Sequence, residues 1–355
     1  MEKIIKQSLG IDCAKDNFVV TFSVCDAQHE IQHLSFRIFN NDELGYKAFN
    51  KWAGKLWKRT IPLIYVMEAT GVYHERLAHF LYDLGKQVSV VLPKRAKDFT
   101  KTLKIKKITD KIASQSLATM GLEKNLDLWN KPDKVYAYIK KLCREKNRIQ
   151  DQIVQLKNQI HAEKSCAWPG KNTLKRLSTA LDLLKKQKAD VLKEVKGIVT
   201  DNKELNEKVK NITTIPGVGL LTAATVIGET DGFNHIRNKR QLVSYAGYDI
   251  MNQESGTSIK TKGRISKKGN KHIRKAMHMP ALSAIRKEGN HKDLFIRLVS
   301  RSGIKMKGVV AVQRKLLVLI YILWKNNSVF DPEYGIEKKE GSPKLPHELD
   351  QVRSL

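Results

Sequence analysis

Cysteine is scarce in this 355-residue chain, with four residues: Cys13, Cys25, Cys143 and Cys166. None forms a C-x-x-C pair, and no histidine-rich cluster lies beside them. That argues against structural zinc and against a disulfide framework, and points to a reduced cytosol. Long apolar runs are missing too. No stretch approaches the ~20 residues that span a bilayer, and Met1 to Ser8 is too short and polar to read as a signal peptide. No membrane partner is expected. Acid is the third shortage. Lys plus Arg number 65 against 36 acids, a formal net charge of +29. The excess runs along the whole chain, so the expected partner is a polyanion held through salt-dependent phosphate contacts. A merely basic, ribosome-associated protein would share that balance.

Residues 8 to 125 read as a mixed α/β unit. Phe18, Val20, Phe22 and Val24 alternate as in a half-buried strand, and His33 to Phe39 is a third strand. Asp42 to Lys55 has helical spacing. Ile61 to Glu68 is a buried strand ending at Gly71. His74 to Leu84 is a helix stopped by Gly85, and Val88 to Leu92 a strand closed by Pro93. Thr109 is placed to cap a helix that begins with Asp110. Three strands, a helix, a strand, a helix and a strand make the order of an RNase H-like fold. Periodicity alone supports an α/β unit with a mixed sheet.

The middle is helical. Leu142, Ile149, Ile153, Leu156 and Ile160 keep 3/4 spacing, with Lys146 interrupting. After the turn signal Pro169-Gly170, Leu174, Leu177, Leu181, Leu184, Val191, Val195 and Ile198 resume it, with Lys188 interrupting. The pattern predicts an antiparallel coiled-coil hairpin roughly 40 Å long, acting either as a spacer between domains or as a dimerisation arm or nucleic-acid clamp. A mostly α part comes next, with helices over 268–288 and 307–325. The expected divisions are 1–125, 126–208, 209–328 and a disordered tail over 329–355.

Three features carry chemistry. Asp12, Glu68 and Asp110 lie after a first strand, at the end of a later strand and at the start of a helix, where carboxylates can meet around Mg2+ or Mn2+. They also suit a turn, a strand end and a helix start. Ile215-Pro216-Gly217-Val218-Gly219 turns into a helix and looks like a helix-hairpin-helix loop, where Gly217 and Gly219 free backbone N–H groups for phosphate. A tight turn before a buried helix would look the same. Last comes Asn252-Gln253-Glu254-Ser255-Gly256, with Lys260, Lys262, Arg264, Ser266, Lys267 and Lys268 close behind. A serine among cations suits phosphoryl transfer, although no His or Asp stands locally as a base. A solvated basic loop is the plainer alternative.

Together these blocks resemble the Piv/MooV-type transposases and recombinases of bacterial insertion sequences, the bridge-RNA-guided recombinases. The resemblance covers residues 8 to 325. It rests on Gly10-Ile11-Asp12, Met67-Glu68-Ala69-Thr70-Gly71, Thr109-Asp110-Lys111-Ile112, Ile215 to Gly219, Ser255-Gly256 and Gly263 to Asn270. Arg274 and the block Ala311-Val312-Gln313-Arg314-Lys315-Leu316-Leu317 complete it. It implies a RuvC-like amino-terminal domain with four acids, a coiled coil, and a transposase domain with a nucleophilic serine. Asp12, Glu68 and Asp110 match three acids; the fourth falls on Ala113, which implies a weakened enzyme. Ala113 is then an engineered inactivating change, a natural defective copy, or a gap completed by Ser114, Asp16 or a water. The serine falls on Ser255, with Ser266 as runner-up, and Lys260, Lys262, Arg264, Lys267, Lys268 and Arg274 would grip nucleic acid. The resemblance also implies a structured noncoding guide RNA paired with donor and target DNA, a homodimer or homotetramer, and a bacterial, nucleoid-associated cytoplasmic location. A RuvC-like nuclease or junction resolvase using water is one rival reading. A catalytically dead nucleic-acid-binding scaffold is the other.

Overall fold

The computed structural model describes residues 3–103, 107, 109–251, 254–255, 259–260 and 264–332, with 254–255 and 259–260 as backbone alone. Contacts divide the chain into two compact units, Met1–Lys131 and Pro132–Leu355.

The first unit is built on five strands. β1 (Ile4–Cys13), β2 (Asn17–Asp26) and β3 (Ile31–Asn40) form an antiparallel meander, while β4 (Leu63–Glu68) and β5 (Gln87–Val91) run parallel to β1. The order is β3-β2-β1-β4-β5, the arrangement expected of an RNase H-like fold. Helices cover both faces. α1 (Glu43–Leu56), capped by the Asp42 carboxylate, and α2 (Glu75–Asp83) lay Phe49 and Leu81 against Leu9, Ile11, Phe18 and Met67. On the opposite face α3 (Pro93–Thr102) and α4 (Asp110–Glu123) pack Phe99, Leu117 and Met120 against Val66 and Val91. Helices on both sides explain why β2 is buried along nearly its whole length.

Sequence patterns close β5 at Pro93 and assign no element between there and Thr109. Pro93 instead starts α3, because a helix's first N–H has no intrahelical partner and proline loses nothing there. The unit also runs past residue 125. Leu126 is buried, Ser89 donates to the Asp127 carbonyl (3.0 Å), and the Trp129 N–H donates to the Val88 carbonyl (2.7 Å).

The second unit opens with a helical hairpin, α5 (Lys134–Ser165) and α6 (Lys171–Asp201). Ile149, Ile153, Leu181, Val191 and Val195 are buried along its seam. Gly170 N–H closes the turn on Glu163 Oε1 at 2.7 Å. The two interrupting lysines face each other. Lys188 donates to Gln150 (2.7 Å), and the Lys146 ammonium is held below its usual range by burial and then by the charge of Lys188. The hairpin root is not a separate body. Ile139, Leu142 and Val199 share one core with Ile212, Ile227, Leu316 and Ile320.

The rest of this unit is α7 (Lys203–Thr213), α8 (Leu220–Glu229), α9 (Lys239–Ala246), four two-residue strands, and α10 (Lys271–Ala276), α11 (His278–Arg286), α12 (Asn290–Ser302) and α13 (Lys305–Asn326). The strands are β6 (Ile250–Met251), β7 (Glu254–Ser255), β8 (Ile259–Lys260) and β9 (Arg264–Ile265), paired β6 with β9 and β7 with β8. The expected helix over 268–288 is two helices, α10 and α11, and α12 is an addition to the expected elements. The expected disordered tail does not begin at 329. Phe330 packs on the core and its N–H donates to Thr214 Oγ1 at 2.8 Å. The remainder of that expectation, residues 333–355, lies outside the described residues.

Candidate active site and nucleic-acid interface

Strand alternation decides where two of the acids point. Successive side chains on a strand take opposite faces. Gly10 presses on α4: a Cβ there would lie 1.9 Å from the Ser114 carbonyl oxygen. Asp12, two residues on, faces the same way. Val66 also faces α4, since a Cβ on Gly121 would lie 2.8 Å from it, and Glu68 follows Val66 by two. The parallel register pairs Ile11 with Met67, which puts Asp12 and Glu68 at the same level on neighbouring strands. Asp110 is the first residue of α4, whose cap is the Thr109 hydroxyl accepting from Ile112 N–H.

Electrostatics agree with that placement. The Asp12 carboxyl is pushed up to about 6, by burial first, then by the charges of Asp110 and Glu68. No lysine or arginine offsets the three acids among the causes of that shift. Glu68 Oε1 accepts from the Thr70 hydroxyl at 2.8 Å. Among the described residues, no three His, Cys, Asp or Glu side chains converge closely enough to hold one metal ion as they stand. The acids share a field, not a finished cage. Magnesium, which keeps several waters and takes one or two carboxylates, does not need a cage. Oxygen donors that share a field in this way fit a divalent cation held together with waters.

Ala113 lies one turn along α4 from Asp110, half-exposed, and its N–H donates to the Thr109 carbonyl (2.8 Å). Ser114 is buried and already engaged: its hydroxyl meets Thr21 Oγ1 at 2.7 Å and donates to the Lys111 carbonyl at 2.8 Å. It ties α4 to β2 and leaves nothing for a metal. Asp16 sits exposed in the β1–β2 turn, its carbonyl accepting from Asn41 N–H.

In the second unit, Ser255 ends β7 and pairs with Ile259, next to Lys260 in β8. Lys262 lies outside the described residues. Ser266 has an acid beside it that is not among the expected site residues. Its hydroxyl donates to Asp249 Oδ1 (2.6 Å) and accepts from Lys268 N–H (3.2 Å), and its own N–H donates to the Asp249 carbonyl (2.8 Å). Seventeen positions separate the pair in sequence, so no local pattern could reveal it. Arg264, Lys267 and Lys268 are exposed. Arg274 is half-buried and donates to the Ala246 carbonyl (2.7 Å), which makes it a brace for the end of α9.

The glycine turn divides into two roles. Gly217 has φ +88°, and a Cβ there would lie 2.8 Å from the Pro280 carbonyl oxygen, so packing against α11 demands it. Gly219 caps α8 and has nothing within 4 Å of a built Cβ. Gly219 is the one left open to a ligand.

A buried ion pair anchors this unit. Glu229 takes two hydrogen bonds from Arg144 (2.6 and 2.8 Å) and one from Asn270 (2.7 Å). Burial alone would raise its pKa, but the bonds from Arg144 and Asn270 outweigh it and hold the carboxyl below its usual range. The cluster joins α5, α8 and the start of α10.

An α/β sheet of this order, with acids at adjoining strand ends, defines an RNase H-like fold class. The comparisons narrow it. Residues 9–163 match a transposase model of the IS110 DEDD type, and residues 209–295 match the model described as the transposase IS116/IS110/IS902 family. The chain carries the transposase domains of the IS110/IS116/IS902 family. The pilin gene-inverting proteins of Moraxella bovis and Moraxella lacunata are homologues, 27% and 28% identical over 92% of this chain and 98% of theirs. The transposase for insertion sequence element IS1111A of Coxiella burnetii is 29% identical over 42% of each chain. Among solved structures, Thermus thermophilus RuvC is similar with a TM-score of 0.27 and 10% identity, over 35% of this chain and 99% of that one. No helix among the described residues is long and apolar enough to cross a membrane.

Proposed function

We propose that this chain is an RNA-guided DNA recombinase of an insertion sequence, working through a covalent phosphoserine link. One observation carries the reading: the charges of Asp110 and Glu68 both add to burial in pushing up the Asp12 carboxyl on the α4 side of the sheet, and no lysine or arginine is among the causes of that shift. These residues would hold Mg2+ or Mn2+, which when bound would stabilise the charge that builds on phosphorus and on the attacking and leaving oxygens. The Ser255 hydroxyl attacks the phosphodiester. A new Oγ–P bond forms, the P–O bond to the leaving strand breaks, and the proton lost by serine ends on the leaving hydroxyl. The ester conserves the bond energy, and a second strand's hydroxyl can reverse the step. Gene inversion, named for the Moraxella relatives, requires such rejoining as well as cutting. Arg264, Lys267 and Lys268 hold backbone phosphates, with Arg able to do so in a bidentate way. The net charge of +29 supports an RNA guide alongside DNA, with base pairing carrying the sequence information.

Ala113 favours a second reading, a scaffold that binds nucleic acid with little or no catalysis. The test uses Ala113→Asp protein, labelled DNA and magnesium, with denaturing gels for protein–DNA adducts and sequencing of co-purified RNA. Adducts that vanish with Ser255→Ala, and fall less with Ser266→Ala, are expected. Adducts lost only with Ser266→Ala would move the nucleophile to the Asp249-bonded serine. Cleavage without adducts would make water the nucleophile, and no cleavage in any form would leave the scaffold.

A further inference from the structure

The block Ala311 to Leu317 has no part in the chemistry above. Its buried members, Val312, Gln313, Leu316 and Leu317, face the core. Its other members do something else: Ala311, Arg314 and Lys315 line a cavity of about 660 Å3, within the roughly 300–1,000 Å3 usual for small-ligand sites. Ile250 and Ile265, a cross-strand pair of β6 and β9, form one wall. Leu294 and Leu298, one turn apart on α12, form another, and Tyr248 and Val310 also line it. α12 has no buried residue although it is rich in apolar ones. Phe295 and Val299 press on Gly308 of α13, and Leu294 and Leu298 are left to the cavity.

The charge around it has one sign. Arg264, Lys267, Lys307, Arg314 and Lys315 line the same cavity, and among the described residues no acid does. Among the described residues none of the five is in an ion pair. An occupant must therefore offer an apolar, flat or compact body and several negative charges. A membrane lipid would need a wide flat surface. An acidic peptide would bring carboxylates but no reason for so many strongly basic groups around one apolar slot. A nucleotide supplies both features at once.

We infer that this cavity receives one unpaired nucleotide of a single strand, its base against the apolar walls and its flanking phosphates on the five cations. This rests on the nucleic-acid reading above and deepens it. The strands that form one wall are also the root of the segment that carries Ser255: β6 and β9 pair at Ile250–Ile265 and Met251–Arg264, and the chain between them contains β7 and β8. A base held at that root would set which phosphate along the strand the serine arm meets.

The test uses the full chain with single-stranded oligonucleotides, one DNA set and one RNA set, each carrying a single 5-iodouracil for photocrosslinking. Crosslinked peptides from β6, β9, α12 or the first half of α13 are expected. Ala311→Phe fills the cavity, and should lower single-strand affinity about five- to hundredfold, the range for losing one base contact, with duplex affinity little changed. Lys307→Gln, an exposed change that spares the core, should weaken single strands in a salt-dependent way. The DNA and RNA arms show which strand supplies the nucleotide. Crosslinks confined to other elements, or equal single-strand affinity for Ala311→Phe protein that keeps its thermal midpoint, would overturn this site and leave the recombinase reading standing. Failure of the unaltered protein to bind any strand at low salt would overturn both.

Discussion

Gly10 and Ser114 meet backbone to backbone: the space a Gly10 side chain would fill is taken by the Ser114 carbonyl oxygen, 1.9 Å from a built Cβ. That contact sets how close α4 lies to β1, and so how strongly Asp110 acts on Asp12. Gly10→Ala should force the helix away at a cost of about 1–3 kcal/mol, as overpacking does, read as a lower urea midpoint. The Asp12 pKa should fall toward its ordinary value as Asp110 recedes. A variant with unchanged midpoint and unchanged titration would show that the two elements are held by something else.

The raised Asp12 pKa has a defined sign. The folded chain keeps a proton up to about pH 6, whereas the unfolded chain loses it near the ordinary value of 3.8. The unfolded state thus binds fewer protons between those values, and this group's contribution to stability falls as pH rises through them. Without added metal, Asp12→Asn should be more stable than the unaltered protein at pH 7.5, and the difference should shrink toward pH 4. Magnesium should raise the melting temperature of the unaltered protein and do less for the variant. A pH-independent difference between the two would sink the idea.

Ala113→Asp adds a carboxylate on the face of α4 that Asp110 occupies, at i and i+3. It should tighten magnesium binding, followed by calorimetry, and raise strand cleavage in the same buffer. Ser114 cannot stand in for it, because its hydroxyl is spent on Thr21 and the Lys111 carbonyl. Equal affinity and equal cleavage in both forms would mean that three acids suffice.

Arg144→Met would strand a buried carboxylate. Glu229 is fully buried at its side chain and takes two of its hydrogen bonds from Arg144, whose own side chain is 39% exposed, so the loss should be below the roughly 3–5 kcal/mol of breaking a wholly buried pair. The double change Arg144→Met, Glu229→Gln should recover much of the loss. Chemical denaturation of the three proteins measures this directly; a single variant as stable as its parent would remove the pair from the unit's scaffold.

The hairpin seam is satisfied within the chain, with Leu156 and Leu184 partly buried between its own helices. Lysines at those two positions should therefore unzip the hairpin and reduce helix content. Association between copies, if the arm mediates it, has to use outward residues such as Val154 and Leu183, 47% and 56% exposed. Val154→Lys with Leu183→Lys should lower the mass seen by light scattering at unchanged helicity. A constant mass would assign the arm to spacing alone.

Local patterns in the sequence disclose most of the first unit. Alternation locates β2, glycine stops α2, and Thr109 marks the start of α4 within a residue. α3 escapes because proline serves equally as a stop and as a first helical residue. The acids are legible from their neighbours, but their common face depends on the β1–β4 register, which no single strand encodes. In the second unit the seam is plain. The partners Asp249 and Ser266, and Arg144 with Glu229, are not, because long sequence separations hide who meets whom. α12 carries a helical stripe, Leu294, Phe295, Leu298 and Val299, split between α13 and the cavity, and is open to reading from its spacing.

Lys146 and Lys188 interrupt an otherwise apolar seam at facing positions, and Gln150 receives one of them. Slide one helix past the other by a heptad and each lysine would lie against an aliphatic side chain, with the Lys188 hydrogen bond to Gln150 gone. Polar members of a seam fix alignment at some expense in stability. Here the alignment has a geometric output, since a seven-residue slip would shift one helix along the other by about 10 Å and leave the turn at Trp168 unable to close. The two cations act as the zero mark of a ruler: they determine how far from the root the exposed Trp168 is carried, and hence the reach of anything the tip touches.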